Sequence, residues 1–405
     1  MTMKTIAPES VGLSAVRLQR LHRAMQGYVE RGQLAGLISV LLRRGEVAHF
    51  GLYGQMDIAA SKPMRADAIF RIFSMTKPIT SLAVLMLYEE GALHLQSPVA
   101  MFIPEFADLK VLSNQMDANS EQVPLARPIT IHDLLTHTSG LGYGVDALLP
   151  LDAQLAKAQL LRSDETLAEK MKRLAQYPLH HQPGLRYTYS LSTDVLGRLV
   201  EIVSGLPLDE FFKRRIFEPL GMLDTDFYVP EEKKDRLATL YTPTPDGKLV
   251  DIRAVDQNLL PHFMTGVWVT KDYQPRFLSG GAGLVSTTAD YLRFGMMMRN
   301  QGELDGARLV SRKTVELMTS PHLRPDQFFV NGASFGLGFT VMTNPAQAQM
   351  LGSVGAYEAG GAAHTNFWYD PHEDLLGLLM VQYVSYTPSM VGMDFKVLAE
   401  QAIMD

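Results

Sequence analysis

The chain has 405 residues, 46% hydrophobic and 20% charged, a balance that supplies a full core for two or three domains or for one domain with a large insertion. A formal net charge of −6, with no basic run longer than Lys213-Arg214-Arg215, leaves no electrostatic footprint for nucleic acid. The chain has no cysteine, which excludes disulfides, thiol nucleophiles and thiolate metal sites; no apolar run reaches membrane-spanning length.

The first ten residues lack the long apolar stretch of a secretory signal, so the expected location is cytoplasmic. Residues 14–29 read as an amphipathic helix with Val16, Leu18, Leu21, Met25 and Tyr28 on its buried side. Residues 37–42 read as a strand, Arg44-Gly45 as a turn, and residues 47–50 as the partner strand of a hairpin. An apolar helix opening at Ser74 is expected to end near Glu90-Gly91, where Gly91 suits a left-handed cap. Residues 104–122 are polar and aperiodic. Thr130-Ile131-His132-Asp133 resembles a capping box, and His137-Thr138-Ser139-Gly140 follows at the end of that helix.

Helical patterns continue over residues 148–175, 193–204 and 208–217. Near Leu260 the composition shifts, and the glycine-rich stretch 279–286 leads into a helix capped by residues 287–290. Residues 366–369 and 375–382 read as strands joined by the turn 370–374, and a last helix is expected over 394–403. This order suggests an α/β (α+β) layer domain, residues 1–105 and 265–405, interrupted by a mostly helical insertion, residues 106–264.

The chemistry concentrates at Phe73-Ser74-Met75-Thr76-Lys77-Pro78. On a helix, residues three apart share a face, so Lys77 can reach the Ser74 hydroxyl. Serine is a weak nucleophile until a neighbouring base takes its proton, and a helix N-terminus stabilises negative charge on the oxygen. Pro78 is tolerated there because first-turn amides have no intrahelical partner to lose. By itself Ser-x-x-Lys reads more readily as an N-cap beside a solvated charge. The apolar flank, Ile72, Phe73, Ile79, Leu82 and Leu85, instead implies a buried helix start, and a buried lysine is rarely idle.

Four elements in order carry a resemblance: Ser74-Met75-Thr76-Lys77, then Leu135-Thr136-His137-Thr138-Ser139-Gly140-Leu141, then Pro183-Gly184 with Tyr189-Ser190-Leu191, then Gly360-Gly361 before a Phe-Trp-Tyr-Asp-Pro strand turn. From about residue 8 to its end the chain resembles the serine hydrolases related to class C β-lactamases and penicillin-binding proteins. Within them it is most similar to the family VIII carboxylesterases. The resemblance implies an antiparallel sheet flanked by helices and an acyl-enzyme on Ser74. It implies Tyr189 beside Ser74 and Lys77, either Lys77 or Tyr189 as the base, and an oxyanion hole from the amides of Ser74 and Ala362. Gly360 and Gly361 would let that backbone approach the substrate. Where many β-lactamases carry Lys-Thr-Gly, this chain has Ala359-Gly360-Gly361. No cation stands there for a substrate carboxylate, so an uncharged small-molecule ester is the expected substrate.

The same superfamily holds β-lactamases, D-amino-acid peptidases or amidases and acyltransferases; a non-catalytic sensor module is the alternative from another class. Gly332-Ala333-Ser334-Phe335-Gly336 also matches the Gly-x-Ser-x-Gly elbow. That motif requires strand, sharp turn and helix, whereas residues 335–341 read as a strand. His137 is expected to interact with the C-terminal dipole or carbonyls of its helix, Tyr187 to be a buried tyrosine with a hydrogen-bonded hydroxyl, and Tyr143 to line the acyl pocket. His180-His181 has no metal-ligand spacing with acidic partners, so neither a metal nor another cofactor is expected.

Overall fold

Strand β1 (Gly36–Arg43) is buried along its whole length and sets the layers of the molecule. Ile38, Val40 and Leu42 enter one hydrophobic cluster, Leu37 and Leu41 another, the period-2 alternation of a strand covered on both faces. In this computed structural model, which describes residues 3–146, 148–161, 163–256, 260, 266, 274–385 and 389–405, β1 is central to an eight-stranded antiparallel sheet. The other strands are β2 (Glu46–Asp57), β3 (Lys62–Pro63), β4 (Ala333–Phe335), β5 (Thr340–Met342), β6 (Tyr357–Gly360), β7 (Asn366–Asp370) and β8 (Leu375–Val381). Their order is β4-β5-β6-β7-β8-β1-β2-β3, so the C-terminal strand pairs with the N-terminal hairpin. Left-handed Arg44 (φ 54°) and Gly45 (φ 82°) make the expected turn between β1 and β2.

The helices used below are α1 (Ala15–Glu30), α2 (Thr76–Glu89), α3 (Ile131–Leu135), α4 (Ser192–Ser204), α5 (Thr288–Arg299) and α6 (Val391–Glu400). Helices α1 and α6 cover one sheet face, where Leu18, Leu21, Met25, Phe395 and Ala399 pack with Trp368 and Leu379. The other face packs against α2 and α5 in a cluster that continues into α3 and α4. The architecture is thus the expected α/β arrangement of an antiparallel sheet flanked by helices. The expected domain junction at residues 264–265 lies outside the described residues.

Three expectations shift. Val16 is 76% exposed, not buried: Ser14 caps α1 by accepting from Arg17 N–H, and the buried stripe begins at Leu18. The last helix starts at Val391 and ends at Glu400. Residues 335–341 are not one strand; Gly336 and Gly338 lie between β4 and β5, and the two short strands pair as a hairpin at the sheet edge.

Candidate active site

Between Ala68 and Leu87 every residue is buried except Ser74. The chain enters this run through residues Ile69–Arg71, paired antiparallel with Val285–Thr287. It makes a 3₁₀ turn at Phe73–Met75 and continues as α2. Ser74 therefore lies one turn ahead of the α-helix rather than inside it. Phe73 has φ 45°, a conformation that costs an aromatic residue roughly 1–3 kcal/mol and persists only where the surroundings fix it. Here the surroundings do: Phe73 is buried, Ile72 N–H donates to Leu284 O at 3.1 Å, and Tyr291 OH donates to Met75 O at 2.9 Å. The strained residue turns the next side chain, Ser74, out of the core.

Lys77 is 3% exposed. Its Nζ donates to Ser74 Oγ at 3.1 Å and to Gly281 O at 2.7 Å, so the glycine-rich stretch anchors the cation. Tyr189 arrives from a segment 115 residues away and donates its phenolic hydrogen to Ser74 Oγ at 2.7 Å. Lys77 Nζ lies 4.6 Å from the centroid of the Tyr189 ring and 5.5 Å from that of Tyr143. The hydroxyl, amine and phenol that the sequence singled out therefore meet, and Tyr143 adjoins them.

The segment after α3 brings Tyr189 to this place. Thr188 N–H donates to His137 O at 2.8 Å, Gly184 N–H to Thr138 O at 2.7 Å and Leu191 N–H to Gly142 O at 3.0 Å. A hydroxyl chain, Ser139–Ser192–Ser190, crosses between the two segments at 2.8 Å per link. Among the described residues His137 caps no carbonyl. It is left-handed (φ 54°), and its Nδ1 accepts from Ser190 N–H at 3.3 Å, with its ring 4.9 Å from that of Tyr189. Burial and then the Lys77 charge hold the imidazole well below its ordinary range, so it stays neutral and buttresses the phenol. Tyr187 packs on Phe329 and Phe335. Contrary to expectation, its hydroxyl has no hydrogen bond among the described residues.

The two residues of the late glycine pair differ in their surroundings. A Cβ on Gly361 would meet Ile72 O at 2.3 Å and Thr365 Oγ1 at 2.2 Å, whereas one on Gly360 would find nothing nearer than 3.7 Å. Gly361 alone permits the close approach to the residues before Ser74. The next amide, Ala362 N–H, has no hydrogen-bond partner among the described residues.

Ser334 lies on β4, buried, its hydroxyl without a hydrogen-bond partner among the described residues, and the chain turns into β5 instead of a helix; the elbow geometry is not there. His180 bonds Asp152 at 2.9 Å, and Asp152 also accepts from the Val145 and Asp146 amides, fixing the loop that carries Tyr143. Among the described residues no group of three or more His, Asp or Glu could hold a metal. The sequence reading missed Asp194, buried in the first turn of α4 and bonded to Ser279 Oγ at 2.6 Å on the turn that holds Lys77. Its signal was a carboxylate set in the apolar run Val195-Leu196…Leu199-Val200.

Comparisons with known proteins show the family to which the chain belongs. The family model described as Beta-lactamase matches residues 21–401. Protein Rv1367c of Mycobacterium tuberculosis is 36% identical over 367 residues, 87% of either chain. Esterase EstB of Burkholderia gladioli is 31% identical over 399 residues, 95% of either chain. The solved structure of EstCE1, described as a hydrolase with promiscuous acyltransferase activity, superimposes with a TM-score of 0.78 at 26% identity, covering 96% of this chain and 98% of that one. The chain belongs to the Beta-lactamase family and is a serine hydrolase of that superfamily, as the four motifs in order had suggested.

Proposed function

We propose that the chain is a carboxylesterase that hydrolyses small-to-medium acyl esters through an acyl-enzyme on Ser74. The observation that carries this is the convergence on one half-exposed oxygen, Ser74 Oγ, of Tyr189 at 2.7 Å and Lys77 at 3.1 Å. At rest the phenol donates to the serine. Once the phenol has ionised, the same contact carries the serine proton the other way. Ser74 Oγ attacks the ester carbonyl carbon, and its proton passes to the Tyr189 oxygen while the Lys77 charge stabilises the pair. The carbonyl oxygen takes the negative charge and is held by the Ser74 and Ala362 amides, each donor supplying about 3 kcal/mol. The C–O bond to the alcohol then breaks, Tyr189 returns the proton to the leaving oxygen, and water repeats the sequence on the acyl-enzyme.

The named activities of EstB and EstCE1, an esterase and a hydrolase with acyltransferase activity, support ester chemistry, and a second alcohol in place of water would make the same acyl-enzyme a transferase. Ala359, in the position where many β-lactamases carry lysine, favours an uncharged ester over a carboxylate-bearing β-lactam. The test is turnover of p-nitrophenyl acetate and butyrate, with nitrocefin alongside, by the wild type and by Ser74→Ala, Lys77→Ala, Tyr189→Phe and Ser334→Ala. Ester turnover lost in the first three and kept in the fourth, with weak or no nitrocefin cleavage, is the expected result. No turnover by the wild type would leave a binding module, and loss in Ser334→Ala alone would move the nucleophile.

A further inference from the structure

The mechanism above leaves one buried charge beside Lys77 unused. Asp194 is 1% exposed and faces the glycine-rich turn across from Lys77. Its Oδ1 accepts from Ser279 Oγ at 2.6 Å and from Gly281 N–H at 3.3 Å. Its Oδ2 has no hydrogen-bond partner among the described residues. A Cβ built on Gly281 would lie 2.8 Å from that oxygen and 3.5 Å from Lys77 Nζ. Only a residue without a side chain leaves the line between the two charges open.

A buried carboxylate oxygen without a partner is costly unless opposite charge compensates. Two lysines flank it. Lys77 approaches from α2. Lys170 approaches from the helix Leu167–Leu174, across a small cavity lined by Leu160, Leu191 and Phe277. Lys170 is itself committed: it donates to the carbonyls of Leu160 and Ser163, and burial brings it down to about 8. Asp164, Glu165 and Arg173 surround it, and Tyr143 also feels the Asp194 charge. Burial pushes the Asp194 carboxyl up, while the Ser279 hydroxyl, Lys77, the Gly281 amide and Lys170 pull it back.

We propose that Asp194 is a positioning residue of the serine centre, the counter-charge that keeps Lys77 cationic and thereby leaves Tyr189 as the base. This inference rests on the esterase reading, in which Tyr189 takes the serine proton, and names the group that holds Lys77 in the charge state that reading needs. An anionic Asp194 holds the proton on Lys77, and the cationic Lys77 favours the ionised phenol. The Gly281 position bounds the separation of the two charges to within about 6 Å, and at an effective dielectric of ~20 two unit charges at that range shift a proton equilibrium by about 1–2 pH units.

The experiment is the pH profile of kcat/KM on p-nitrophenyl butyrate for the wild type, Asp194→Asn, Ser279→Ala and Ser74→Ala. In Asp194→Asn the amide oxygen can still accept from Ser279 and Gly281, so the turn keeps its shape and only the charge is lost. The alkaline limb is expected about 1–2 pH units lower in Asp194→Asn, with at least tenfold less activity at its former optimum. Ser279→Ala removes a hydrogen bond and leaves the carboxylate in place, and is expected to lower the unfolding temperature and to move the limb less than Asp194→Asn does. Asp194→Ser gives the same reading should the amide not fold. Superimposed profiles for Asp194→Asn and wild type overturn the proposal, as does an equal shift in Ser279→Ala. A shift of the acid limb alone overturns it too, by making neutral Lys77 the base. Wild type active and Ser74→Ala inactive, with superimposed Asp194→Asn and wild-type profiles, refutes this inference and spares the esterase reading. An inactive wild type refutes that reading itself.

Discussion

Replacing Tyr189 by phenylalanine removes one oxygen and leaves almost everything else in place. The ring keeps its neighbours: His137 at 4.9 Å, Tyr143 at 5.4 Å, and Lys77 Nζ at 4.6 Å from the ring centroid. What disappears is the 2.7 Å contact to Ser74 Oγ. A positioned general base contributes about 10²–10⁴-fold, or about 3–5 kcal/mol of barrier. The lost hydrogen bond costs folding only about 1 kcal/mol. Steady-state hydrolysis of p-nitrophenyl butyrate should therefore show kcat lower by about 10³ with KM changed less than about threefold, since the phenol acts in the transition state. Thermal unfolding of the variant should stay within a few degrees of wild type. A variant that keeps more than about a tenth of wild-type kcat would refute the assignment, because no residual base of that strength is compatible with the loss of the phenol.

Two further outcomes follow from the packing. Gly361→Ala drives a methyl into Ile72 O, while Gly360→Ala meets nothing closer than 3.7 Å; kcat should fall about 10²-fold in the first, as for a lost oxyanion donor, and stay near wild type in the second. Equal effects would contradict the placement of Ala362. His181 is buried between Gln182 O and Thr188 Oγ1, and burial brings its imidazole down to about 4. Below its unfolded value near ~6.5 the unfolded chain binds a proton that the folded chain does not, so this histidine removes stability as pH falls from about 6.5 towards 4. Denaturant unfolding at pH 7 and pH 5 should show His181→Gln losing about 1–2 kcal/mol less than wild type on acidification. The comparison cancels Glu400, which burial and then Asp370 push up to about 7 and which acts in the opposite direction. Equal losses would contradict the neutral buried histidine.

Sequence alone revealed what is local in this site. Ser74 and Lys77 follow from a three-residue spacing in an apolar run, and the layer order follows from where helical and strand periodicities fall. Tyr189 was legible only through its motif, because no spacing argument joins residue 189 to residue 74. The contacts that bring it there are backbone bonds between residues 137–142 and 184–191 and a hydroxyl chain through Ser139, Ser192 and Ser190, none of which has a spacing that the sequence makes readable. Gly360 and Gly361 read alike in sequence; only the path of Ile72 distinguishes them. Asp194 escaped because its partners, Ser279 and Gly281, lie far along the chain in a glycine-rich stretch that no motif tied to the site. The Ser334 motif had the right letters, but its residues pair as a hairpin at the sheet edge instead of turning into a helix.

Mass spectrometry of the acid-quenched protein during turnover of p-nitrophenyl butyrate tests the central claim most directly. The account predicts a butyryl group on the peptide that carries Ser74, present in wild type and Ser334→Ala and missing in Ser74→Ala. A butyryl group on the Ser334 peptide, or ester turnover that survives Ser74→Ala, would contradict it.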